Sequence, residues 1–174
     1  MQQSEPDFLS LLRGAKKTAV HLEMRDAYMM DDPELIEWQR GYRADPANRD
    51  EWWRPWLDLV QETVERGVVM RRARIVSEPV TEYIKYEYDV TFPNVVAGEQ
   101  VRWLPRPQVS SIALPGNDFW LIDDRLVQFH FFTGDGQWAD PAYEITEDPG
   151  VARLCSSAFE AVWERGTPHD RYTV

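Results

Sequence analysis

The chain has 174 residues, 43% of them hydrophobic and 28% charged, which suits one folded domain with a proper core and sets disorder aside for most of its length. Its formal net charge of -11 repels phosphate backbones and anionic lipid, so direct binding to nucleic acid or to a membrane surface is disfavoured. Aromatic residues reach 13%, with 8 Trp, and imply a core rich in indole rings whose N–H groups need partners.

In chain order, residues 1–7 are polar and lack the basic and apolar regions of an export signal. Nowhere do about 18 apolar residues run together, so nothing directs the chain to a membrane. A short helical stretch over residues 8–12 leads into residues 21–28, where polar and apolar side chains alternate as in a strand. Asp32 and Pro33 open a helix carrying Leu35, Ile36 and Trp38, and Gly41 ends it. Over residues 50–66 the apolar residues Trp53, Trp56, Leu57, Val60 and Val64 recur at steps of three and four, which predicts one amphipathic helix closed by Gly67.

Residues 68–76 read as a strand, and Ser77-Glu78-Pro79 as the start of a helix that carries Val80, Tyr83 and Ile84 toward Pro93. Gly98 then turns the chain into a second strand over residues 101–104. These pieces make a βαβ unit, and such units join parallel strands. Phe119 to Ile122 and Leu126 to Phe132, separated by Asp123-Asp124-Arg125, give a hairpin. Residues 133–147 read as a polar loop, within which Gly134-Asp135-Gly136 is a tight turn rather than a phosphate loop, since it lacks the lysine. Asp148 and Pro149 cap a last helix with Val151, Leu154, Cys155, Ala158, Phe159 and Val162 at helical spacing.

The expected fold is therefore α/β: a mixed sheet with a central βαβ unit, a hairpin and flanking helices. One domain is expected over residues 1–174, with a helical part at 1–67 packed on an α/β core at 68–166. Cys155, alone in the chain, reads as a small buried hydrophobe and fits a reducing, cytoplasmic setting.

No catalytic signature stands out. On a strand His21, Glu23 and Arg25 project from one face, where they either orient a polar ligand or satisfy one another as ion pairs. His21, His130 and His169 are far apart in sequence and lack zinc spacing, so no metal and no cofactor are expected. His130, between Phe129 and Phe131, reads as a packed residue. Ser110 and Ser111 have no nucleophile elbow around them. Arg71, Arg72, Arg74, Arg102 and Arg106 are the basic concentration of an acidic chain, and form either a positive patch or charges offset by neighbouring Glu. Ligands of open α/β sheets gather at the carboxyl ends of the strands, which makes Glu78, Arg102 and Arg106, with Ser77, candidates for a pocket rim. Trp52, Trp53, Arg54 and Trp56 crowd more indole than one helix face hides, so this segment is an interaction candidate, although core packing is the simpler use.

The blocks His21-Leu22-Glu23-Met24-Arg25-Asp26, Trp52-Trp53-x-Pro55-Trp56-Leu57, residues 71–79, Leu114-Pro115-Gly116-Asn117-Asp118-Phe119-Trp120 and Phe132-Thr133-Gly134-Asp135-Gly136 resemble an actinobacterial family of unknown function. Its members are commonly found near helix-turn-helix regulators, which implies a regulatory role and a protein partner. Residues 68–165 are also similar, at fold level, to one half of a phospholipase D-like domain. That likeness places Asn117, Phe119 and Asp124 where such halves carry histidine, lysine and aspartate. An amide and a phenyl ring replace neither an imidazole nucleophile nor a phosphate clamp, so phospholipase chemistry is not expected.

The leading expectation is a non-catalytic regulatory domain that acts with a transcription regulator and senses a small effector. The alternative is a small-molecule enzyme using His21, Glu23 and Arg25, with Asp118 or Asp124 as acid/base partner. Direct DNA binding has neither the charge nor a helix-turn-helix pattern.

Overall fold

The computed structural model describes residues 8–174, so the polar stretch 1–7 lies outside the described residues. The first half runs α1 (Phe8–Gly14), β1 (Thr18–Glu23), α2 (Pro33–Gln39), α3 (Arg49–Trp52), α4 (Pro55–Glu65) and β2 (Val69–Val76). The second half runs α5 (Glu82–Asp89), α6 (Phe92–Val96), β3 (Gln100–Pro105), β4 (Phe119–Ile122), β5 (Leu126–Phe132), β6 (Trp138–Thr146), α7 (Pro149–Arg165) and β7 (Thr167–Pro168). The strands form one mixed sheet in the order β6-β5-β4-β1-β2-β3-β7. β1, β2 and β3 are parallel neighbours, and the remaining pairings are antiparallel. The βαβ unit and the hairpin thus stand as read from the sequence. β1, which comes from the 1–67 segment, lies in the middle of the sheet between β2 and β4.

Each sheet face has its own core, because side chains alternate along a strand. On one face Val20, Leu22, Ala73, Ile75, Leu104, Phe119, Leu121 and Val127 pack against α7. That helix supplies Ala152, Cys155, Phe159, Val162 and Trp163, spaced by three and four residues so that they fall on one stripe. Asp148 caps it, accepting from Gly150 N at 2.7 Å and Val151 N at 3.0 Å. Burial pushes the Cys155 thiol up to about 11, so it is an inert core group.

The opposite face carries the crossover helices and two separate apolar clusters. One gathers Leu12, Leu57, Val60, Met70 and Trp120 under α1 and α4. The other gathers Leu35, Val76, Tyr83, Ile84, Val101 and Trp103 under α2 and α5. Among the described residues, no helix is long and apolar enough to cross a membrane.

Four boundaries differ from the sequence reading. The helix expected over 50–66 is broken into α3 and α4, because Arg54 precedes Pro55 and is extended at φ -131, ψ 158. Ser77-Glu78-Pro79 does not start α5; Thr81 does, its hydroxyl accepting from Ile84 N at 3.1 Å, while Ser77 is tied to Asp26 instead. The strand read at 21–28 covers Thr18–Glu23. The polar loop at 133–147 holds β6, an edge strand whose half-exposed side chains give little alternation and whose Pro141 an edge tolerates.

Candidate functional site

His21 and Glu23 project from one face of β1 and are each only 8% exposed. The parallel register sets Arg72 and Arg74 of β2 beside them. Glu23 accepts from Arg72 at 2.6 Å and from Arg74 at 2.8 Å. Arg72 Nε also donates to Glu99 at 2.6 Å, and Arg74 donates to Thr91 Oγ1 at 2.5 Å and lies 3.2 Å from Glu87. Three carboxylates therefore meet two guanidiniums, in a belt that separates the two apolar clusters of this face.

The charges follow from that geometry. Burial by itself raises the Glu23 carboxyl, but Arg74 and Arg72 outweigh it and hold the group well below the usual range. Burial raises Glu87 against the pull of Arg74, and the nearby Glu23 charge adds to the rise. Burial drives the His21 imidazole well below its ordinary value, leaving a neutral ring at pH 7. That ring stacks on Trp120 at 4.4 Å, and its Nδ1 stands 3.4 Å from Glu23 without a hydrogen bond. His130 packs edgewise on it and is lowered by burial to about 4. His169 lies elsewhere, accepting from Trp103 Nε1 at 3.1 Å.

Arg25 does not join His21 and Glu23. β1 ends at Glu23, so the alternation that would bring Arg25 onto their face stops before it. Its guanidinium lies 5.4 Å over Phe132 and reaches Thr133 O at 3.4 Å. The arginine concentration is likewise no patch, because neighbours on a strand take opposite faces. Arg71 grips Glu160 of α7 at 3.0 and 2.6 Å, and Arg102 donates to Trp163 O at 2.8 Å with its guanidinium over that ring. Arg106 turns to the carboxyl ends of the strands, where it meets Met24 O at 2.6 Å, Ser77 Oγ at 3.0 Å and Asp26 at 3.4 Å. Glu78 is exposed on the loop after β2.

At the same strand ends, Asp118 accepts a short hydrogen bond from the Tyr28 hydroxyl and a second, at 2.9 Å, from Met24 N. Burial pushes its carboxyl up to about 7, although both hydrogen bonds favour the ionised form. Asp124 sits on the turn after β4, at the other end of that strand, where Ser156 donates to it at 3.0 Å, so the two aspartates do not form a pair. Among the described residues no three His, Cys, Asp or Glu side chains gather as a metal site would require.

An open space lies over the crossover helices instead. α2, α3, the start of α4, α5 and α6 enclose a cleft of about 820 Å³. Its aromatic wall is Trp38, Tyr42, Trp52, Trp56, Tyr86 and Phe92, and its charged groups are Glu34, Glu37, Glu51, Asp89, Arg43 and Arg54. Trp52, Arg54 and Trp56 thus face one cleft. Trp53 does not; its Nε1 donates to Asp58 at 2.7 Å and Arg49 covers its ring at 3.5 Å. Trp38 Nε1 donates to Asp89 at 2.8 Å, with Arg43 stacked on the ring at 4.2 Å. The buried Trp52 Nε1 has no hydrogen-bond partner among the described residues.

Residues 6–174 match the family described as Domain of unknown function (DUF6879). The chain belongs to the DUF6879 family. No curated protein matches it in sequence. Among solved structures it is similar to TrmBL2, an archaeal chromatin protein described as showing a novel mode of DNA binding, at 15% identity and a TM-score of 0.45 over 91% of this chain. The chain spans about half of that protein, 48% of its length. It is also similar to Nuc of Salmonella typhimurium, a phospholipase D family member, at 14% identity and a TM-score of 0.45 over 92% of this chain and 86% of the other.

In this DUF6879 chain, Asn117 and Asp124 are exposed at opposite ends of β4 and Phe119 is fully buried between them, so the three positions compared with phospholipase D motifs share no site. Several residues of the belt and the cleft escape a reading of the sequence. Glu87 and Glu99 come from the crossover between β2 and β3, and nothing local marks them as partners of Arg74 and Arg72. Trp38, Tyr42 and Tyr86 come to line one cleft with Trp52 only through tertiary packing. The one available signal was the surplus of aromatics around α2 and α5.

Proposed function

We propose that this DUF6879 chain is a non-catalytic regulatory domain whose aromatic cleft holds a small effector, and that a protein partner, such as a transcription regulator, reads its state. The observation that carries this reading is the contrast between a closed ionic belt and an open cleft. The guanidiniums of Arg72 and Arg74 are bound to carboxylates of the chain itself. The cleft offers about 820 Å³, the size of a small-ligand site, walled mostly by apolar and aromatic groups with a few polar ones. An acidic chain complements a basic surface, and DNA-binding proteins present such surfaces.

A small-molecule enzyme is the competing reading, and Asp118, with its carboxyl at about 7, favours it, since titration near neutrality suits acid/base work. Against it, Asp118 is 3% exposed and its carboxylate is held by Tyr28 and Met24.

The test is purification of the tagged chain from its native cells under mild conditions, with bound proteins and extracted small molecules identified from one eluate. A stoichiometric small molecule or regulator, lost from a Tyr42→Ala/Trp52→Ala variant that still folds, is the expected result. An eluate that holds neither at saturating bait levels would overturn the reading.

A further inference from the structure

We infer that the cleft selects an organic cation with a flat or apolar body, an inference that rests on the cleft being a ligand site. Its lining carries four carboxylates, Glu34, Glu37, Glu51 and Asp89, against two guanidiniums, Arg43 and Arg54. Those guanidiniums answer only part of the acidic rim: Arg43 pairs with Asp89 at 3.2 Å and Arg54 approaches Glu34 at 3.7 Å. Glu37 is engaged by Arg40 at 2.7 Å, with both side chains more than half exposed. Among the described residues Glu51 has no cationic partner. It accepts only from neutral donors, Asp45 N and Asn48 Nδ2 at 2.9 Å and the Tyr42 hydroxyl at 3.3 Å.

The chain displays in its own side chains the contact that such a ligand would make. Arg43 lies 4.2 Å over the Trp38 ring while its charge faces Asp89, an aromatic face and a carboxylate shared by one cation. Glu51 stands next in sequence to Trp52 and beside Tyr42, and among the described residues no cation lies over either ring. An anion meets an excess of carboxylate here, and a neutral molecule with the same body stacks on the rings but gains neither the ionic attraction nor the cation–π contact.

The experiment is calorimetric titration of the full chain with three probes that share one ring: benzyltrimethylammonium, benzyl alcohol and benzoate. The expected result is that the cation binds at least about tenfold more tightly than the alcohol, with benzoate weakest. Glu34→Gln/Glu37→Gln, on the α2 side of the cleft and outside the hydrogen bonds of Glu51, is expected to bring that ratio to roughly threefold or less while leaving benzyl alcohol unchanged. Glu51→Gln, checked for its unfolding transition, removes the third carboxylate by a separate route. Equal binding of cation and alcohol, lost together in Tyr42→Ala/Trp52→Ala, overturns the cation class and leaves the cleft as a ligand site. A preference for benzoate overturns it as well. Binding of none of the three overturns the inference, and the native eluate then decides separately whether the cleft holds anything at all.

Discussion

Beneath α5, Arg72 and Arg74 meet Glu23 and Glu99 with every side chain at most 12% exposed, while at the cleft Arg43 and Arg54 meet Asp89 and Glu34 with side chains 39–65% exposed. The residue types are the same and the energetics are opposite. A buried pair has already lost its water, so removing one member strands the other. A rim pair keeps its water and contributes little, so it yields to a ligand at small cost. The belt therefore locks the register of β1 on β2, whereas the cleft keeps its charges available.

The largest expected effect lies in the belt. Glu23→Ala leaves Arg72 and Arg74 each short of a carboxylate in a buried site, which costs about 3–5 kcal/mol. In a chain of this size that lowers the melting temperature by on the order of 10 °C. Glu34→Ala at the rim is expected to stay within about 0.5 kcal/mol of the wild type. Thermal unfolding followed by circular dichroism compares the two, and similar losses would break the distinction between belt and rim.

Next comes the pH dependence of Asp118. Its folded carboxyl titrates at about 7, above its ordinary 3.8, so folding favours the protonated form. That contribution is complete below about pH 4 and is lost as pH rises through 7, an amount on the order of 2–3 kcal/mol between pH 5 and 8. The buried histidines act in the opposite sense, since a lowered imidazole makes stability rise with pH up to its ordinary value near 6.5. The informative quantity is therefore the wild type minus Asp118→Asn, in which the histidines cancel. That difference should slope downward from pH 5 to 8, and a flat one would show that Asp118 is ionised in the folded chain throughout.

The sequence carried the belt and the cleft unequally, for physical reasons. Alternation along β1 and β2 was legible, and so His21, Glu23, Arg72 and Arg74 could be placed on strands. Their closure could not be read, because Glu87 and Glu99 arrive from a crossover whose packing no local pattern encodes. Arg25 was misplaced by a single boundary: a strand assumed to continue past Glu23 puts it on the wrong side. The helices with strong caps, Asp32 before α2 and Asp148 before α7, were read correctly, since a cap is a local hydrogen bond. Thr81 was overlooked beside the more conspicuous Glu78-Pro79, and β6 was hidden because an edge strand with half-exposed side chains has weak periodicity. Trp52, Trp53, Arg54 and Trp56 were singled out as an interaction segment for their surplus of indole, yet the cleft that Trp52, Arg54 and Trp56 line depends on Trp38 and Tyr86, far from them in sequence.

The smallest expected effect on stability belongs to the cleft wall. Tyr42 is 52% exposed, and its side chain makes one long hydrogen bond among the described residues, at 3.3 Å to Glu51. Tyr42→Ala should leave the melting temperature unchanged within measurement error and yet weaken the binding of benzyltrimethylammonium severalfold, since the variant deletes an aromatic face beside a carboxylate. Stability and binding measured on one preparation separate the two roles. A chain that melts as early as Glu23→Ala would make Tyr42 part of what holds the fold together. The cleft would then be a gap in the core, not a surface kept open, and the contrast between a closed belt and an available cleft would fail at its weaker half.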